Sequence, residues 1–302
     1  MAAFHRRKLL AGLVISAVLC GVSLVQAEDL PSKLVDTAWL AASYGKLEVR
    51  VIDMRPDIRD YWTSHLPGAL YLNPESLRWP ETGFPVKLMS VEALAELLGN
   101  MGIEPDTVVV LYSEKNGFMP LYLLWALDYL GHKNVGLLDG GFERWKTEKR
   151  FLTQDYPAQI KAVTYPVPKR LHSEVRASLQ EVKDSLGKDV VLLDSRPQET
   201  YSGEKGAWKR RGHLPGALNH FWNADLAADG SWKSREELAE DYAALGLTPK
   251  KKVIVYCGSG QMSSHTYFVL KYILGYPSVK NYDGGFGEWS NDPALPVEKS
   301  KN

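Results

Sequence analysis

The sequence predicts an α/β protein built from two tandem copies of one domain, each an open, mainly parallel sheet flanked by helices. Three observations carry that prediction. A set of short motifs occurs twice in the same order and at near-constant spacing. Short apolar, β-branched runs alternate with helical patterns in both copies. The 302 residues, 45% hydrophobic and 24% charged, form an ordinary globular composition, long enough for about two domains.

The repeat is direct. Val51-Ile52-Asp53-Met54-Arg55-Pro56 returns as Leu192-Leu193-Asp194-Ser195-Arg196-Pro197, and His65-Leu66-Pro67-Gly68-Ala69-Leu70 returns unchanged from His213 to Leu218. Gly102-Ile103-Glu104-Pro105 has its partner in Gly246-Leu247-Thr248-Pro249. Asp139-Gly140-Gly141-Phe142 with Trp145 matches Asp283-Gly284-Gly285-Phe286 with Trp289.

Taken in order, the chain opens on Arg6-Arg7-Lys8, an apolar run from Leu9 to Val25, and a small-x-small stretch ending at Ala27. That is the pattern of a cleaved secretory signal, residues 1–27, and it predicts a periplasmic or otherwise exported protein with no stable membrane anchor after cleavage. Arg6-Arg7 loosely resembles a twin-arginine signal, and Cys20 lacks the small preceding residue of a lipoprotein site. Cleavage removes Cys20 and leaves Cys257 as the mature chain's one cysteine, so no internal disulfide forms. Net charge is zero, which provides no field for nucleic acid.

The first copy, residues 28–155, has strand signals at Val49 to Ile52, Val108 to Tyr112 and Val135 to Leu138. Helical patterns run from Ser90 to Asn100 and Leu121 to Leu130. Residues 156–170, with Pro157, Pro166 and Pro168, read as a linker. The second copy, 171–302, has strands at Val190 to Leu193 and Val253 to Tyr256, with helices at Ser234 to Leu245 and His265 to Leu274. Open parallel sheets place their sites beyond the carboxyl ends of strands. Cys257 stands at such an end, before Gly258-Ser259-Gly260-Gln261-Met262 and a helix that Ser263 or Ser264 can cap. There, unpaired N–H groups and the helix dipole favour an anion, and the thiolate is the nucleophilic form of cysteine. The histidines and carboxylates show no metal-ligand spacing, and no cofactor motif is present.

Together, the paired Asp-x-Arg-Pro, His-Leu-Pro-Gly-Ala and Asp-Gly-Gly-Phe elements and the cysteine loop resemble the tandem rhodanese sulfurtransferases over nearly the whole mature chain. In that family only the C-terminal copy carries the cysteine, and here Ser113 occupies the matching place in the first copy. The resemblance implies transfer of sulfane sulfur from a small anionic donor, 3-mercaptopyruvate or thiosulfate, to cyanide or a thiol through a Cys257 persulfide. A protein acceptor in the periplasm fits the same scheme. A non-enzymatic sulfur carrier and a redox-sensing module are the competing readings.

Cys-Gly-Ser-Gly is similar to the mercaptopyruvate-type loop, whereas animal thiosulfate enzymes have Arg-Lys after the cysteine; Gln261-Met262 depart from the usual Val-Thr. Mercaptopyruvate is therefore the expected donor. Serine at 263, in place of arginine, argues against the related phosphatases. The resemblance sets Arg196 against the donor, with a pair to Asp194 or Glu199 as the alternative. It also implies a relay of Ser259 with His65 and Asp53. Arg211, with Lys209 and Arg210, forms either a rim that steers anions or a solvated face.

Overall fold

The computed structural model describes residues 30–44, 49–78, 86–157 and 159–300, so the expected leader and cleavage site lie outside the described residues. Within them the chain builds two sheets whose ladders are all parallel. The first has the order β1-β5-β4-β2-β3, from β1 (Leu34–Val35), β2 (Val49–Asp53), β3 (Leu70–Tyr71), β4 (Val108–Tyr112) and β5 (Val135–Leu138). The second has the order β7-β6-β8-β9, from β6 (Val190–Asp194), β7 (Leu218–Asn219), β8 (Lys252–Tyr256) and β9 (Val279–Tyr282). Strands β4 and β8, the apolar runs in the sequence, sit centrally, as continuous burial on both faces requires.

Helices cover both faces of each sheet. Outside the first sheet, α1 (Thr37–Ser43), α2 (Ile58–Thr63) and α5 (Gly141–Thr147) enclose a core of Leu40, Tyr61, Val110, Phe142 and Trp145. Outside the second, α6 (Leu179–Ser185), α7 (Gln198–Tyr201) and α10 (Gly285–Asn291) enclose Val182, Ile254, Phe286 and Trp289. The inner faces carry α3 (Val91–Asn100), α4 (Met119–Leu130), α8 (Arg235–Ala244) and α9 (Gln261–Phe268), and there the two copies share one continuous core. Its centre is the contact of α4 with α9, the same helix of each copy.

Local chemistry fixes the ends of these helices. Ser90 caps α3 by accepting from the Ala93 N–H, and Ser234 with Glu237 forms a reciprocal capping box at the start of α8. The expected serine cap of α9 is not formed. Gly260, in the left-handed region at φ 81°, is its N-cap. Ser263 Oγ instead donates to Asn281 Oδ1 (2.7 Å) and Ser264 Oγ to the Gln261 carbonyl (2.5 Å). The helix therefore begins four residues earlier than its sequence pattern indicates, then passes into a π turn over Val269–Ile273. Residues 159–170 contain no helix or strand, and Val163 and Tyr165 lie against the first copy at Gly99 and His132.

Candidate active site

Strand β8 delivers Cys257 to the carboxyl end of the second sheet, where the chain turns through Gly258-Ser259-Gly260 into α9. Glycine is required twice. At Gly260 a Cβ would stand 2.7 Å from the Asp283 Cα, and at Gly285 (φ 56°) a Cβ would stand 2.6 Å from the Cys257 carbonyl oxygen. The Asp-Gly-Gly-Phe motif is thus the bracket of the cysteine loop. Phe286 N–H donates to the Cys257 carbonyl (2.7 Å) and Gly287 N–H to the Gly258 carbonyl (2.9 Å).

The Gly260 carbonyl receives Ser264 N–H and Asn281 Nδ2. With those carbonyls engaged, the N–H groups of Gly258 to Met262 donate to no protein acceptor among the described residues. The loop is therefore a ring of free donors around one sulfur. Cys257 itself is 2% exposed, and the Trp208 indole lies over the loop: a Cβ at Gly258 would come within 2.9 Å of it.

The first copy reaches into this site. After the 3-10 turn Pro74–Leu77, Arg78 Nη1 donates to Ser259 Oγ (2.8 Å), while its Nη2 pairs with Glu75. Gln261 Nε2 donates to Glu75 Oε1 (3.2 Å), and Leu88 N–H donates to Asp283 Oδ2 (3.1 Å). Asp283 is held in turn by Arg176 through two bonds, 2.9 and 2.7 Å. Tyr122 of α4 is fully buried, its hydroxyl has no hydrogen-bond partner among the described residues, and it lies within electrostatic reach of Asp283, Arg176, Arg78 and Cys257. Burial first, and Asp283 second, push that hydroxyl well above the ordinary tyrosine range, so it remains a donor.

The structure gathers Cys257, Gly258, Ser259, Gly260, Gln261 and Met262 in one loop and places Arg196, the Ser259–His65–Asp53 set and Arg211 as follows. Arg196 is 3% exposed; its Nε and Nη2 bind Asp194, Nη2 also donates to the Gly212 carbonyl (2.8 Å), and its guanidinium lies 4.2 Å from the Phe286 ring centre. Burial disfavours its charge, but Asp194, then Tyr256 and Cys257, outweigh that and hold the guanidinium charged. Arg55 repeats the whole arrangement in the copy without a cysteine: Asp53, the Ser64 carbonyl (2.7 Å) and the Phe142 ring at 4.1 Å. Arg196 thus forms the buried ion pair with Asp194 that was the alternative to a donor contact.

Among the described residues no hydrogen bond joins Ser259, His65 and Asp53. Asp53 is engaged by Arg55 and by the Tyr112 hydroxyl (2.7 Å), His65 Nδ1 lies 2.8 Å from the Tyr61 carbonyl with its ring stacked on Tyr61, and Ser259 faces Arg78. His213 stacks on Tyr201 in the same way, which marks both histidines as supports of the repeated turn. Arg211 is exposed and donates to the Glu204 carbonyl, while Arg210 fastens the carbonyls of Trp289, Ser290, Asp292 and Leu295. Arg210 is thus a clamp on the last helix and the segment after it, and Arg211 lies on the solvated face.

Two parallel α/β copies with one cysteine on a strand-to-helix loop define a tandem protein whose loop presents a thiol to free N–H donors. The chain belongs to the rhodanese-like domain family, whose model matches residues 36–148 and 178–292, and it is a sulfurtransferase with a sulfur donor and a sulfur acceptor. Among similar proteins is the sulfur carrier protein TtuD of Thermus thermophilus, 39% identical over 90% of this chain and 98% of that protein. Another is the thiosulfate sulfurtransferase of Corynebacterium glutamicum, 35% identical over 90% and 92%. A solved structure of an EanB variant, with ergothioneine covalently linked with a persulfide cysteine, superimposes at TM-score 0.79 with 27% identity, covering 89% of this chain and 70% of that one.

Proposed function

We propose that this chain moves sulfane sulfur from a small anionic donor to a thiophilic acceptor through a persulfide on Cys257. The observation that carries the reading is the cysteine at the centre of a loop whose N–H groups, Gly258 to Met262, have no protein acceptor. Such a ring of donors stabilises an anion that is one sulfur atom longer than a thiolate. With thiosulfate, the Cys257 thiolate attacks the outer sulfur, a new S–S bond forms, the donor S–S bond breaks, and sulfite leaves with the electron pair. With 3-mercaptopyruvate the C–S bond breaks and the thiol proton ends on the methyl group of pyruvate. Cyanide then takes the outer sulfur as thiocyanate and the thiolate returns, so charge balances in each half.

The relative named a sulfur carrier protein supports a second outcome of the same persulfide, delivery to a protein thiol. The leader pattern of residues 1–27 supports export to the periplasm, tested by the mass of the mature N-terminus after cell fractionation. The central test is mass spectrometry of reduced protein incubated with each donor. The peptide carrying Cys257 gains one sulfur, about 32 Da, cyanide removes it, and Cys257→Ser gains nothing. A wild-type peptide left unmodified by both donors refutes the persulfide mechanism.

A further inference from the structure

The cysteine loop, Cys257-Gly258-Ser259-Gly260-Gln261-Met262-Ser263-Ser264, contains no cation, and the structure shows why none fits at its second position. A side chain at Gly258 would enter the Trp208 indole. A dianionic donor brought to a buried sulfur nevertheless needs positive charge beside it. Arg196 is committed to Asp194, and Arg176 to Asp283. Arg78 is placed differently. It comes from the first copy, rests on Ser259 two residues past the cysteine, and is mostly buried, and its Nε has no acceptor among the described residues. Its remaining partner, Glu75, is itself largely exposed and can be displaced by a competing anion.

The Tyr122 hydroxyl is a second buried donor without a partner at the same seam, also from the first copy. Two buried, unsatisfied donors, Arg78 Nε beside the cysteine loop and Tyr122 on the helix packed against α9, are costly unless a ligand accepts from them.

We infer that Arg78 and Tyr122 of the cysteine-free copy recognise the anionic oxygens of the sulfur donor, Arg78 supplying from the other domain the cation that the loop lacks. The preferred donor class is then thiosulfate and thiosulfonates, in which the sulfane sulfur is bonded directly to an oxygen-rich, negatively charged sulfur. Mercaptopyruvate, with a single carboxylate two carbons from its sulfur, gains less from a cation fixed at Ser259. This inference rests on the persulfide reading.

The test compares the full mature chain with Arg78→Ala, Arg78→Lys and Tyr122→Phe, measuring sulfur loading and turnover with thiosulfate and with mercaptopyruvate. Arg78→Ala lowers kcat/KM for thiosulfate by about 10- to 150-fold, the effect of losing one charge-assisted contact, and lowers it less for mercaptopyruvate. Arg78→Lys recovers part of the loss, since it keeps the charge without the planar fork. Tyr122→Phe raises KM for thiosulfate several-fold at unchanged melting temperature, because no protein hydrogen bond is lost. Alkylation of Cys257 by neutral iodoacetamide proceeds at the wild-type rate in Arg78→Ala.

Wild-type loading by thiosulfate in Arg78→Ala overturns the inference. So does an equal loss for both donors accompanied by altered alkylation, which marks Arg78 as a support of the loop. Calorimetric binding of thiosulfate to Cys257→Ser protein, with and without Arg78→Ala, separates the two claims. Binding that weakens with Arg78→Ala supports recognition even where no sulfur is transferred, and binding that does not weaken overturns it.

Discussion

Removing the Arg196 guanidinium tests whether this residue holds the fold or the substrate. Arg196→Ala strands Asp194, which is 0% exposed, and removes a donor from the buried Gly212 carbonyl. Breaking one partner of a buried ion pair costs about 3–5 kcal/mol because the remaining charge stays uncompensated. At about 2–4 °C per kcal/mol, the melting temperature falls by about 6–20 °C. The twin Arg55→Ala, in the copy without a cysteine, breaks the same set of contacts and falls by a similar amount. The assay is thermal and urea unfolding of both variants, with donor kinetics normalised to the folded fraction. Folded Arg196→Ala keeps KM for thiosulfate and mercaptopyruvate within about 3-fold of wild type, as expected where no ligand contact is lost. A variant of unchanged stability whose KM rises about tenfold or more refutes the structural assignment and returns Arg196 to the donor.

Gly258→Ala places a methyl group 2.9 Å from the Trp208 ring, so it costs about 1–3 kcal/mol of overpacking and slows sulfur loading, and adding Trp208→Leu restores loading; unchanged loading in the single variant shows that Trp208 yields freely. Hydrogen bonds to Glu148 from Thr37, then from Arg150 and Arg144, hold its carboxyl at about 2 against burial, below its ordinary 4.5. A carboxylate depressed on folding stabilises above its unfolded pKa, and that contribution is lost as pH falls from about 4.5 through about 2. Urea unfolding at pH 5 and pH 3 therefore shows a smaller pH dependence for Glu148→Gln than for wild type, and an equal dependence rejects the assignment.

Much of this architecture was legible because its signals are local. The β-branched runs at Val108 and Val253 became central strands, and the doubled Asp-Gly-Gly-Phe motif became the bracket that each loop needs. The cysteine loop was legible for the same reason. Arg196 and His65 were visible as repeated residues, but their roles depend on burial, which only the packed domain sets. Their recurrence in a copy without a nucleophile was the signal that favoured structure over chemistry. The start of α9 was misplaced because a helix buried on nearly every side has no apolar period to mark its first turn. Arg78, Tyr122 and Trp208 had no sequence signal, since each meets the loop only through tertiary packing, Arg78 across 181 residues of chain.

The two copies meet through corresponding elements, α4 on α9, and their contacts at the two loops differ. The turn Pro74–Leu77 of the first copy corresponds to Trp222–Asp225 of the second, and each is followed by a residue directed to the other copy's loop: Arg78 in one case, Leu226 in the other. Leu226 lines a cavity of about 630 Å³ with Ser113, Glu114 and Lys115, where no arginine enters. Lys115 and Asn116 of that loop instead donate to the carbonyls of Asp229 and Gly230. Asp225 and the corresponding Leu77 are both fully buried, but Asp225 is paired with His220 and His265. The first copy thus has Ser113 and interdomain contacts at its loop, and it contributes the arm that carries a cation to its neighbour. Deleting the first copy should then abolish donor recognition as well as expose the shared core, because the second copy holds the sulfur but only part of the charge that selects it.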